Sequence, residues 1–128
     1  MRHRKSYKSL SRDTQHRRAL LRNLAQSLFE HETVRTTVVK AKEVRPFAER
    51  MITLAKKQSI ASRRRVTAEL RDREVMDMDA EHRNVVERLF KEIAPRYADR
   101  PGGYTRIIRL PQRRKGDDAS MCMLQLVE

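Results

Sequence analysis

The fold turns on two stretches near the C-terminus, Tyr104-Thr-Arg-Ile-Ile-Arg-Leu110 and Ser120-Met-Cys-Met-Leu-Gln-Leu-Val127. Both are strands by composition. Pro111 starts the connection between them, and Gly116 and Asp117 supply its turn chemistry. The two runs therefore form a hairpin with a basic loop, Arg113, Arg114 and Lys115. A third run, residues 32–38, is rich in β-branched types and alternates, so it adds a short strand.

The segments between these strands read as helices. Val85, Leu89, Ile93 and Tyr97 fall four apart, with Val86, Phe90 and Ala94 alongside, and predict a helix over about 80–98. Pro101-Gly102-Gly103 ends it. A helix from about Val39 to Lys57 buries Val44, Phe47, Met51 and Leu54. Pro46 lies inside it and either kinks or splits it. Ser59 caps a third helix to about Arg71. Asp13 or Ser11 caps a first helix to about Glu30, with Leu21, Leu24 and Leu28, flanked by Leu20 and Phe29, as its apolar stripe. Three strands and about four helices bury themselves as an α+β fold, a two-layer α/β sandwich with the helices on one face of a small three-stranded sheet. Residues 1–12 are polar, basic and aperiodic, an extended arm ordered by a partner. Residues 13–128 form one domain.

Charge decides the class of partner. Residues 1–65 hold 18 Lys and Arg against 5 Asp and Glu, while residues 66–128 hold 12 against 12, so the whole net charge of +13 sits in the first half. Self-repulsion of that size disfavours the compact state unless an outside polyanion offsets it. The first 22 residues carry Arg2, Arg4, Lys5, Lys8, Arg12, Arg17, Arg18 and Arg22 against Asp13 alone. His16, Arg17, Arg18 and Arg22 stand in the first turns of a helix, where cations oppose its dipole, which places phosphate near that end. Arg outnumbers Lys, favouring bidentate contact with phosphate and stacking on bases over loose attraction to lipid. Further clusters are Lys40 and Lys42 with Arg45, the triplet Arg63 to Arg65, and more weakly Tyr104 to Arg106 with the hairpin loop. Gly102 and Gly103 either stop the helix or let a sugar-phosphate backbone approach, and Tyr104 either packs or stacks on a base.

Other chemistries find no support. His3, His16, His31 and His82 lack ligand spacings, and Cys122 has no Cys-x-x-Cys companion, so no metal or cofactor is expected. Cys122 reads as a small buried hydrophobe in a strand; as the sole cysteine it permits no internal disulfide and fits a reducing, cytoplasmic setting. No apolar run approaches the roughly 20 residues of a membrane span. The acidic stretch around Asp77 and Asp79 reads as a solvated or ion-pairing segment rather than a metal-dependent nuclease site.

Several tags now become recognisable in order along the chain: Met1-Arg-His-Arg-Lys5, His16-Arg17-x-Ala19, Arg22-Asn23, Thr36-Thr37-x-x-Lys40-Ala41-Lys42-Glu43, Ile52-Thr53-Leu54-Ala55-Lys56, Pro95-Arg96, Gly102-Gly103-Tyr104-Thr105-Arg106-Ile107 and Gly116-Asp117-x-Ala119. Together they resemble the bacterial large-ribosomal-subunit protein seventeen (L-seventeen) family over nearly the whole length. Residues 66–84 depart from that pattern, being longer and more acidic. The resemblance implies a non-enzymatic ribosomal protein near the outer rim of the nascent-chain exit tunnel. Its partners would be large-subunit ribosomal RNA and neighbouring ribosomal proteins, with no membrane and no small-molecule substrate. It adds His3 and Asn23 to the candidate RNA-binding residues. The full set is then Arg2, His3, Arg4, Lys5, Lys8 and Arg12 on the arm; His16, Arg17, Arg18, Arg22 and Asn23 on the first helix; Lys40, Lys42 and Arg45 on the second; Arg63 and Arg64 on the third; and Gly102, Gly103, Tyr104 and Arg106 at the hairpin. A free-standing DNA-binding architectural protein, the main rival, would bind duplex DNA as well as structured RNA.

Overall fold

The computed structural model describes residues 3–71 and 84–128. Arg2 and the acidic stretch 72–82, with the expected start of the helix near residue 80, lie outside the described residues. Helix α1 (Thr14–His31) opens where Asp13 accepts a hydrogen bond from the His16 backbone N–H at 2.9 Å. It closes at Glu32, whose left-handed backbone (φ 60°) turns the chain straight into β1 (Thr33–Thr37).

Helix α2 (Val38–Lys56) follows without a loop and runs unbroken through Pro46. That proline leaves one carbonyl, at Lys42, without its helical donor. Both residues lie on the exposed side, where the orphan is open to solvent. Val44 and Met51 of the expected stripe are fully buried, but Phe47 and Leu54 only partly so. Helix α3 (Ile60–Leu70) is capped by Ser59, which accepts from the Ser62 N–H at 3.1 Å while the Ser62 hydroxyl donates back to the Ser59 carbonyl at 2.8 Å. Replacing Ser59 by Ala should cost about 1 kcal/mol in urea unfolding; an unchanged midpoint would mean the cap contributes nothing.

The next helical run has three parts: α4 (Val85–Arg88), a π-helical turn (Leu89–Ile93) and α5 (Ala94–Arg96). It ends two residues before the expected Ala98, ahead of Pro101-Gly102-Gly103. The irregularity has a cause. The Ala94 N–H bonds five residues back, to Leu89, and the next such bond would need an N–H on Pro95, which has none. The carbonyl so released, that of Phe90, accepts from the Gln58 side chain at 3.0 Å. Val85, Leu89, Ile93 and Tyr97 are nevertheless all buried.

Strands β2 (Thr105–Arg113) and β3 (Ser120–Leu126) form the hairpin. The sheet order is β1-β3-β2, antiparallel throughout, with Thr36 opposite Cys122 and Ile107 opposite Leu124. β2 runs past the expected Leu110 because it is an edge strand, where Pro111 removes no essential ladder bond. The register slips around it, from Arg109 opposite Cys122 to Arg113 opposite Ser120. Cys122, Leu124 and Leu126 point into the core with Leu28, Phe29, Val44, Met51 and Ile93. The alternate residues Met121, Met123 and Gln125 lie on the opposite face of the sheet and are only partly buried. The architecture is thus an α+β fold with helices on one face of a three-stranded sheet.

Candidate nucleic-acid interface

The arm, α1 and α2 meet at a cleft of about 730 Å³. Spacing explains the convergence. Arg18 and Arg22 stand four apart on α1, and Lys42, Pro46 and Arg50 stand four apart on α2, so each helix turns one row of side chains toward the other. Ser6 and Tyr7 of the arm complete the wall.

Arg17 holds this arrangement together. Its guanidinium donates to the Lys8 carbonyl at 2.7 Å and to the Glu43 carboxylate at 2.7 Å, and it lies 4.7 Å from the centre of the Tyr7 ring. The side chains of Arg17 and Glu43 are only 17 % and 12 % exposed, so this pair fastens the arm to both helices instead of facing a partner. Arg22 is also partly used, donating to the Glu69 carbonyl near the end of α3. By contrast, no carboxylate among the described residues pairs with Arg18, Lys42 or Arg50.

The remaining candidates fall into distinct places. His3, Arg4, Lys5 and Lys8 are exposed on the arm, as are His16 and Asn23 on α1. Arg12 donates to the Leu10 carbonyl at 3.0 Å and to the His16 ring at 3.4 Å. Lys40 is half-buried, and Arg45 pairs with Glu49 at 3.4 Å. Arg63 and Arg64 of α3 lie outside the cleft, with Arg63 5.6 Å from the Phe90 ring centre. Arg106 is exposed on the outer face of the sheet.

Tyr104 takes the packing alternative. It is 2 % exposed, 5.2 Å from the Tyr97 ring, and its hydroxyl accepts from Lys56 at 3.1 Å, which leaves no free ring face for a base. Gly103 adopts φ +64° with open space around it, so its backbone conformation is what calls for glycine. Gly102 also meets nothing within 4 Å of an added Cβ. The hairpin loop is less cationic than its sequence suggests, since Arg113 pairs with Asp118 at 2.7 Å and Arg114 with Asp117. The Arg114 hydrogen bond holds the Asp117 carboxyl down at about 2.

Three residues at the cleft were not singled out from sequence as binding groups, Arg50, Tyr7 and Phe47. The four-residue spacing of Lys42, Pro46 and Arg50 was the available signal for the first.

A carboxylate clasp at the C-terminal end of α1 ties the helical layer together. Glu32 accepts from both Arg96 terminal nitrogens at 2.9 and 3.0 Å and from Arg88 at 3.1 Å, while Arg88 also donates to the Glu30 carbonyl. The Glu32 backbone carbonyl accepts from Leu126 of β3 at 2.9 Å. The hydrogen bond from Arg96, opposed by burial and reinforced by the charges of Arg96 and Arg88, lowers the Glu32 carboxyl below its ordinary 4.5. A lowered folded value means that the clasp stabilises fully above 4.5 and fades as pH falls through the folded value. The stability advantage of the native chain over Glu32→Gln should therefore shrink on acidification below 4.5 in urea titrations. A pH-independent difference would refute it.

Residues 20–127 match the family model described as ribosomal protein L17. The chain is also 51 % identical over 127 residues to the large ribosomal subunit protein bL17 of Fusobacterium nucleatum subsp. nucleatum. That match covers 99 % of this chain, and so runs through residues 66–84, and 100 % of the relative. With most of its length matched by the family model and half its residues shared with a full-length relative, the chain belongs to the ribosomal protein L17 family, a family of structural ribosomal proteins and not of enzymes.

Proposed function

We propose that this ribosomal protein binds large-subunit ribosomal RNA through its arm and the adjoining rows of α1 and α2, as a structural constituent of the cytoplasmic ribosome with no catalytic role. The observation that carries the reading is the trio Arg18, Lys42 and Arg50, gathered from two helices and paired with no carboxylate among the described residues. A polyphosphate backbone is the anion that such a surface neutralises on assembly. Arg4, Lys5 and Lys8 are exposed on the arm whose Ser6 and Tyr7 line the cleft. RNA shape and tertiary arrangement, more than base sequence, would be what is read. The charge-balanced second half would face solvent or neighbouring ribosomal proteins.

Filter binding to ribosomal RNA at several salt concentrations tests this. Deleting residues 1–12 removes Arg2, Arg4, Lys5, Lys8 and Arg12, and every phosphate that thereby goes without its cation should flatten the log–log salt slope by about 0.7–0.9. An unchanged slope contradicts the arm's part. Duplex DNA that competes as well as ribosomal RNA would favour a general architectural DNA-binding protein instead.

A further inference from the structure

We propose that the cleft between the arm, α1 and α2 receives a single unpaired nucleotide projecting from the RNA, its base against Tyr7 and Phe47 and its phosphate on Arg18, Lys42 and Arg50. The inference rests on the RNA-binding reading of this face and adds what the face recognises.

The aromatic residues make the case. The chain has three Tyr, three Phe and no Trp. Four of the six rings, Phe29, Phe90, Tyr97 and Tyr104, are buried in the core. The other two are Tyr7, which is 45 % exposed, and Phe47, which is partly buried, and both line this one cleft. In a chain so poor in aromatics, leaving two rings out of the core forfeits burial unless something else covers them. Each ring already carries a guanidinium nearby, Arg17 at 4.7 Å from Tyr7 and Arg50 at 5.9 Å from Phe47. Rings and guanidinium planes together are the surfaces on which splayed-out RNA bases stack.

Shape and charge point the same way. The site is a concave cleft walled by the arm and two helices. Its volume of about 730 Å³ falls in the range of clefts that enclose a small-molecule-sized group. Of its two carboxylates, Glu43 is committed to Arg17, and Glu69 is outweighed by Arg18, Arg22, Lys42 and Arg50. The excess of positive charge suits one phosphodiester and its neighbours.

The test uses the full chain and two RNA hairpins of identical stem, one with a single bulged aminopurine, a fluorescent base whose emission falls on stacking. The bulged hairpin should bind about tenfold tighter at fixed salt, as expected for one stacked base, with its emission quenched on binding. Phe47→Leu, which keeps an apolar side chain at the core boundary, should abolish the preference while leaving binding to the plain stem and its salt slope unchanged. Tyr7→Leu, on the exposed arm and outside the core, should reduce the preference with an unchanged urea midpoint. Equal affinity for the two hairpins with unquenched emission overturns the nucleotide site, yet leaves the cationic face standing if both still bind with a steep salt slope. Absence of salt-dependent binding to either hairpin overturns both readings.

Discussion

Replacing Arg18, Lys42 and Arg50 together by Gln should weaken binding to ribosomal RNA on the order of a hundredfold near 0.1 M salt, and flatten the log–log salt slope by about 2–3. The size follows from counterion release: each cation that meets a phosphate contributes about 0.7–0.9 to the slope, and near that salt roughly a factor of six to affinity. These three are singled out because no carboxylate among the described residues pairs with any of them. Arg17, next to Arg18 in sequence and on the same cleft, is already tied to Glu43 and to the arm. Fold stability should be unchanged or slightly improved, since removing like charges from one cleft relieves repulsion. A matched control, Lys57, Lys91 and Arg100 to Gln, makes the same change in net charge on exposed residues outside the cleft. The control should lose only a few-fold. Equal losses in the two triple variants would mean that net charge alone governs binding and that the cleft has no special place.

The second large effect is expected in the core. Phe29 of α1 is fully buried, among the largest side chains in a core otherwise made mainly of Leu, Ile, Val, Met and Ala. Phe29→Ala should cost about 3–5 kcal/mol, as transfer and cavity contributions add. Set against a total stability of roughly 5–15 kcal/mol for a domain of this kind, that loss brings the free protein near its unfolding threshold. Urea denaturation at constant salt measures it, and RNA should restore much of the stability by binding only the folded chain. A loss under about 1 kcal/mol would show that α1 is not packed as described.

Much of the architecture is legible in the sequence because burial imposes a period on it. Leu21, Ala25, Leu28 and Phe29 recur at helical spacing because one side of α1 must face the sheet, and Cys122, Leu124 and Leu126 alternate because one side of β3 must face the helices. What escaped depends on residues distant in the chain. The π-helical turn is tolerated because Gln58, 32 residues from Phe90, serves the carbonyl that Pro95 leaves free. The Glu32 clasp draws on Arg88 and Arg96, 56 and 64 residues away. No local pattern announces either.

The candidate site was legible in its charge and less so in its division of labour. Arg17 and Arg18 are equivalent letters in a basic run, yet successive residues on a helix point about 100° apart. One is aimed at Glu43 and the other at the open cleft. Tyr104, beside two glycines, is left by its sequence setting between packing and stacking on a base, and the strand that follows draws it inward against Tyr97. Phe47 shows the reverse, an apparent core position on α2 whose ring reaches only the edge of the core and lines the cleft. Arg113 and Arg114 look like free cations until the turn brings Asp118 and Asp117 round to meet them.

The most direct test of the RNA-facing surface is lysine modification of the chain in assembled large subunits and in the free state, read residue by residue by mass spectrometry. Lys5, Lys8 and Lys42 should react readily when free and become strongly protected in the subunit, keeping that protection when RNA is the only component left bound. Lys5, Lys8 and Lys42 reacting as fast in the subunit as in isolation would contradict the account.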